Sequence, residues 1–248
     1  MKYIGSKARI AKHIVPIIQE YIDKSDKKIY IEPFVGGANV IDKINAQFKI
    51  GNDFDKIVID LYTATVKDPK LLDTLPDFIS KDLYYDVRDS AGKYENWYRS
   101  AILLFASYNA RVYGGCYGAY AKTKDGNIRN YYQEALRNYK KQIPNLKDVI
   151  FTNFDYRDIK DLEVGGTVIY CDPPYAEGIE YKSKFNHEQF WQWVRENSKN
   201  NIILVSEYNA PNDFECIWSM PVKTHLNNRN KLNKVEKLFI YNKNKKED

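Results

Sequence analysis

Short apolar runs alternate with helically spaced segments at both ends of this chain, and a long interruption separates the two stretches. Ile29 to Glu32 reads as a short buried strand, followed by a glycine turn and a helix from about Asn39. Lys49 to Asn52 reads as a second strand that ends at Asp53. A helix near Asp55 then carries Ile57, Ile59, Leu61 and Tyr62. Strand–helix–strand–helix order is the signature of a parallel sheet. The pattern resumes with a strand at Val149–Thr152, a helix near Arg157, a strand at Thr167–Cys171, a helix from about His187 and a strand at Ile202–Ser206. Runs near Cys216–Val222 and Val235–Tyr241 predict an antiparallel finish. Upstream, Ile10, Ile14, Ile17, Ile18 and Tyr21 have helical spacing. Pro16 sits among them and predicts a kink or a late helix start.

From Asp68 to about Lys141 the alternation stops. This part reads as helices plus a Gly/Tyr-rich run, Tyr113 to Tyr120, and Asp125-Gly126 predicts a hairpin turn. The expected architecture is a three-layer α/β domain of residues 1–67 and 142–248, its sheet mostly parallel with an antiparallel C-terminal strand. An insertion, 68–141, is mainly helical with a β-hairpin. The tail from Asn242 is polar and expected to fray.

Composition narrows the function. No apolar run is long enough for a membrane span, and the first residues lack the apolar stretch of a signal peptide. Cys116, Cys171 and Cys216 are scattered and odd in number, which argues against a disulfide framework and for a reducing cytoplasm, that of a host if the chain is phage-borne. His13, His187 and His225 do not cluster, so no metal site is expected. Charge is uneven. Arg99 to Lys141 holds eight Lys or Arg against two Asp or Glu, and Lys223 to Lys237 holds five against one, within a chain of net charge +5. Two basic islands on an acidic body suit a polyanion bound at a defined place. The 21 tyrosines suit wet interfaces and base stacking, although a coding bias raises the same count.

Three segments carry chemistry. Glu32-Pro33-Phe34-Val35-Gly36-Gly37-Ala38-Asn39 follows the first strand, where glycines allow a ligand close to the backbone. Asp53, at the end of the next strand, is placed to accept both hydroxyls of a ribose. Neither G-x-G-x-x-G nor a P-loop is present, so a nucleoside cofactor without a pyrophosphate fits, S-adenosylmethionine being the common one. Asp172-Pro173-Pro174-Tyr175 ends another strand. Two prolines stiffen that turn and remove two N–H donors. The Pro173 carbonyl and Asp172 then form paired acceptors for an –NH2 group, and Tyr175 offers a flat face for an aromatic ring. Such positioning raises the nucleophilicity of a conjugated amine toward an electrophilic methyl. Lys2-Tyr3-Ile4-Gly5-Ser6-Lys7 predicts a capped helix start, with Lys7 or free N–H groups available to a carboxylate.

In this order the segments resemble the Dam-type DNA adenine N6-methyltransferases over essentially the whole chain. Tyr3-Ile4-Gly5-Ser6-Lys7 is similar to that family's N-terminal cofactor segment, and Glu32-Pro33-Phe34-Val35-Gly36-Gly37 to its E-P-F-x-G-x-G loop, with Ala38 at the usual second glycine. Asp53 matches the ribose-binding acid, Asp155-Tyr156 resembles the segment lining the cofactor adenine, and Asp172-Pro173-Pro174-Tyr175 is the catalytic tetrapeptide unchanged. Lys234 and Glu236 resemble a charged pair near the C-terminus. The resemblance implies a Rossmann-like methyltransferase fold and transfer of a methyl group from S-adenosylmethionine to a flipped adenine in double-stranded DNA, as in restriction–modification.

The insertion would then recognise the target. Asn109 and Arg111 are suited to base edges, Tyr113, Tyr117 and Tyr120 to stacking, and Lys122, Lys124 and Arg129 to phosphates. A monomer or weak dimer is expected. The rival enzymatic reading acts on another planar amine: cytosine N4, an RNA base or a protein glutamine. Cytosine enzymes more often place Ser before Pro-Pro, so by resemblance Asp172 favours adenine. The rival of another class is a non-catalytic DNA-binding protein on the same scaffold, against which intact Asp53 and Asp172 speak.

Overall fold

The computed structural model describes residues 1–26, 28–90, 92–113, 115–159, 165–175, 185–223 and 233–244. Seven strands form one mixed, mostly parallel sheet in the order β5-β2-β1-β6-β7-β9-β8. They are β1 (Ile29–Glu32), β2 (Phe48–Asn52), β5 (Val149–Thr152), β6 (Val168–Cys171), β7 (Ile202–Glu207), β8 (Phe214–Lys223) and β9 (Asn233–Tyr241). β6 pairs in parallel with both β1 and β7. β9 runs antiparallel to β7 and to β8, the finish expected from the sequence. All four β6 residues are buried, as they must be in a strand covered on both faces.

Two helices start where the sequence places them, each behind a capping side chain. Asp55 accepts the Ile57 amide at 3.1 Å and opens α2 (Lys56–Lys67), whose buried Val58, Leu61, Tyr62 and Thr65 share one face. Asn186 accepts the Gln189 amide at 3.0 Å and opens α6 (His187–Asn197). The first helix, α1 (Ala11–Lys24), starts five residues before Pro16 and keeps it inside, so the proline does not set the helix start. Two expected helices are single 3-10 turns. The one expected from Asn39 is Ile41–Lys43, because Ile44 turns extended and the chain heads into β2. The one near Arg157 is Tyr156–Asp158, closed by an extended Ile159.

The chain divides into two compact units. The first comprises residues 1–11, 35–44 and 51–153. In it α4 (Asn96–Ala106) is buried on nearly every side from Ser100 onward and contacts α2, α3 (Lys81–Asp89) and α5 (Tyr131–Gln142). The predicted hairpin is β3 (Tyr120–Lys122) against β4 (Ile128–Asn130), with Gly126 at φ 81° in its turn. The second unit comprises residues 12–34, 45–50 and 154–248. Its core joins Ile31, Ile169, Cys171, Ile203 and Val205 from adjacent strands to Phe190, Trp191, Trp193 and Val194 of α6. Among the described residues no helix is long and apolar enough to cross a membrane.

Candidate active site

In the second unit, β1 and β6 lie side by side, although more than a hundred residues separate them in the chain. Their carboxyl ends therefore bring Glu32-Pro33-Phe34 beside Asp172-Pro173-Pro174-Tyr175. Sheet order runs outward in opposite directions from this pair, so it is the topological switch point, where open α/β sheets bind ligands. Glu32 is buried and accepts the Tyr30 hydroxyl at 2.7 Å. Next along the sheet, Tyr170 and Ser206 exchange a buried hydroxyl bond of 2.7 Å that ties β6 to β7.

Tyr175 lies in a defined cage. Its hydroxyl donates to Glu236 Oε2 at 2.7 Å, and its ring meets Tyr208 edge-on, with centroids 4.6 Å apart and planes at 89°. Lys234 Nζ lies 4.3 Å from the centre of the Tyr208 ring. Burial, then the nearby Asp172 and Glu236 charges, push the Tyr175 hydroxyl well above its usual pKa, so it stays a donor. Lys234 and Glu236 thus have distinct jobs: the carboxylate takes the hydroxyl and the ammonium covers a ring. Tyr208 was missed in the sequence. The available signal was an aromatic residue directly after Glu207, the end of the strand beside β6.

An aromatic cluster follows Glu32. Phe34 and Tyr156 have centroids 5.4 Å apart, and Phe185, Phe190 and Trp193 surround Tyr156 at 5.8, 5.8 and 5.2 Å. Asp155 is held by Arg157 through Nε and a terminal nitrogen, both at 2.7 Å, and this pairing lowers its pKa.

In the first unit, Asp53 and the glycine turn are one hydrogen-bonded structure. Asp53 Oδ2 accepts the Gly36 amide and Oδ1 the Asp55 amide, each at 2.8 Å. The Tyr62 hydroxyl donates to the Gly36 carbonyl at 2.8 Å. Gly36 has φ 43°, and the Tyr3 ring would lie 3.0 Å from a Cβ placed there. Gly37 is tighter: a Cβ would meet the Met1 carbonyl oxygen at 2.9 Å and the Asn39 amide at 2.6 Å. Ala38 adopts φ 52°, the left-handed conformation that a glycine takes without cost. The loop therefore keeps a path suited to glycine at that position, against a cost of about 1–2 kcal/mol for the side chain. Gln142 was also missed. Its buried amide donates to the Gly37 and Ala38 carbonyls at 3.2 and 2.8 Å. Lys7 is buried and donates to the Gly5 carbonyl at 3.3 Å, while Ser6 caps a 3-10 turn at Lys7–Arg9 instead of the main helix.

The turn beside Asp53 admits no side chain at Gly37 without a shift of its neighbours. Of the residues expected to meet DNA, Asn109, Arg111, Tyr113, Lys122, Lys124 and Arg129 are exposed. Tyr113 donates to Asp55 Oδ1 at 2.8 Å. Arg129 forms a two-point pair with Glu134 at 2.8 and 2.9 Å. Tyr117 and Tyr120 are half-buried; Tyr117 donates to the Ile79 carbonyl at 2.6 Å, and Tyr120 stacks on Phe78. Most of the second basic island, residues 224–232, lies outside the described residues.

A mostly parallel sheet carrying an Asp-Pro-Pro-Tyr turn at its switch point defines the class: a methyltransferase acting on a planar amine. The chain belongs to the D12 class N6 adenine-specific DNA methyltransferase family, whose model matches residues 3–239. It is accordingly an adenine-specific DNA methyltransferase. It is 25% identical over 205 residues to the type II methyltransferase M.MjaIII of Methanocaldococcus jannaschii, covering 71% of this chain and 68% of that one. It is 28% identical over 193 residues to a DNA adenine methylase of Serratia marcescens, covering 71% and 66%. Among solved structures it is similar to the rRNA methyltransferase AviRa of Streptomyces viridochromogenes, with a TM-score of 0.43 and 11% identity, covering 94% of this chain and 84% of that one.

Proposed function

We propose that the chain methylates the N6 amine of an adenine flipped out of double-stranded DNA, with Asp172 and the Pro173 carbonyl holding the amine and Tyr175 stacking the base. The observation that carries this reading is the rigid Asp172–Tyr175 turn at the carboxyl end of β6, beside β1 at the switch point. Two acceptors on one –NH2 draw off its hydrogens and favour a tetrahedral nitrogen whose lone pair can attack. A base within the duplex cannot reach such a turn, so flipping is part of the proposal.

S-Adenosylmethionine supplies the electrophilic methyl group when bound. Its ribose is assigned to Asp53, and its methionine end to Tyr3, Ile4, Gly5 and Lys7. The glycine turn at Gly36 and Gly37, with Glu32 and Pro33, is assigned to the approach of the nucleoside to the backbone. Phe34, Asp155 and Tyr156 are assigned to the adenine, and Asp172 to the methyl-bearing end. Arg157 already holds Asp155, so the role left to Asp155 is to fix Tyr156. Residues 68–141 are the target-recognition part, with Lys122 and Lys124 at phosphates and Asn109 and Arg111 at base edges.

The test is methyl transfer from labelled cofactor to DNA of mixed sequence, followed by identification of the modified base. Wild type yields N6-methyladenine. Asp172→Ala loses activity by at least about a hundredfold, the cost of removing one preorganised polar contact, while its DNA affinity is retained. Transfer by Asp172→Ala at the wild-type rate would refute the assignment.

A further inference from the structure

We propose that Glu236 and Tyr208 are positioning residues that set the attitude of the Tyr175 ring for methyl transfer. The inference rests on the reading that Tyr175 stacks the target base. A tyrosine ring has two angular settings to fix: where its long axis points, and how the ring is rotated about that axis. A hydrogen bond at the hydroxyl lies on the axis, so it fixes only the first. Glu236 Oε2 makes that bond at 2.7 Å from a strand position buried in the sheet, 8% exposed. Rotation about the axis needs an off-axis contact, and Tyr208 supplies it through a perpendicular ring 4.6 Å away.

Tyr208 is itself fixed twice. Its amide donates to Glu207 Oε2 at 2.6 Å, and Lys234 Nζ lies over its ring. Glu236 and Lys234 stand two apart on β9, so their side chains leave the same face of the sheet. β7 and β9 are paired through Glu207 and Lys237, which brings Tyr208 to the same end of the sheet. A stacking platform held in both settings presents the base amine to its acceptors in one pose, and the rate of transfer depends on that pose.

The experiment is a double-mutant cycle on kcat with Tyr175→Phe, Glu236→Ala and the combined variant. Thermal midpoints and cofactor Kd are recorded alongside, and Tyr175→Ala serves as reference. Each single substitution is expected to lower kcat about tenfold, the effect of losing one hydrogen bond to a charged group. The combined variant should be no worse than the poorer single one. Glu236→Gln keeps an acceptor oxygen and should restore most of the rate. Tyr208→Leu, which keeps bulk but loses the perpendicular ring, should lower kcat while the cofactor Kd stays within twofold. Additive losses in the cycle, or a thermal midpoint that falls while kcat at permissive temperature is unchanged, overturn the proposal. If Tyr175→Ala methylates as wild type does, the stacking role itself fails. If Tyr175→Ala is inactive while Tyr175→Phe and Glu236→Ala are fully active, only the positioning role fails.

Discussion

The Asp53 carboxylate receives the Gly36 amide at 2.8 Å, so the acid that ends β2 and the turn that follows β1 form one piece of structure. An acid that shapes the loop and, in the proposed function, also accepts the ribose would affect binding in two ways when removed. Asp53→Ala should weaken S-adenosylmethionine by at least about tenfold, from loss of charged hydrogen bonds. Isothermal titration with the cofactor alone measures this, and an unchanged Kd would falsify the ribose assignment.

Gly37→Ala tests how closely that turn is packed. The added methyl meets the Met1 carbonyl oxygen at 2.9 Å, a backbone atom that cannot swing aside. Overpacking of this kind costs about 1–3 kcal/mol. At Gly5 the surroundings are open, but φ is 73°, so Gly5→Ala should cost only the left-handed penalty of about 1–2 kcal/mol. Denaturant unfolding of the two variants ranks them, and equal stability of Gly37→Ala and wild type would contradict the packing.

Lys122 ends β3 and Lys124 lies within the hairpin turn, both exposed. Each phosphate contact they make adds about one unit to the slope of log affinity against log salt. Replacing both with Gln should therefore flatten the slope by about two units. A DNA-binding series from low to moderate salt, on the same duplex, gives the answer; parallel lines for wild type and variant remove these lysines from the interface.

Tyr175 predicts the alkaline behaviour. Its folded pKa is raised above the ordinary 10.0, so the hydroxyl stays protonated while an unfolded tyrosine would ionise. A raised folded pKa means that its contribution to stability is fully present below pH 10.0 and is lost as pH climbs further. Rate profiles should therefore show no alkaline limb due to Tyr175 up to pH 10, and Tyr175→Phe should share the wild-type limb. In stability measurements above pH 10 the variant should decline less steeply. A limb near pH 10 that vanishes in Tyr175→Phe would show that the hydroxyl ionises during function.

The sequence was informative where chemistry is local. Asp55 before Ile57, and Asn186 before Gln189, mark helix starts within a few residues, and the apolar run into Cys171 marks a strand covered on both faces. The same local reasoning overextended two helices, at Asn39 and Arg157. A cap and a few apolar residues cannot show that Ile44 and Ile159 turn extended as the chain enters its next segment.

By itself, the sequence determined the class of this protein: alternating elements, an acid after β2 and an Asp-Pro-Pro-Tyr turn after a buried strand, all features of contiguous residues. Only the tertiary structure decided which groups support them. Gln142 reaches the Gly37 carbonyl from the end of α5, and Glu236 meets Tyr175 from β9. The physical reason is that a hydrogen bond between residues far apart in sequence depends on sheet order and strand register, and these are set by the packing of the whole core.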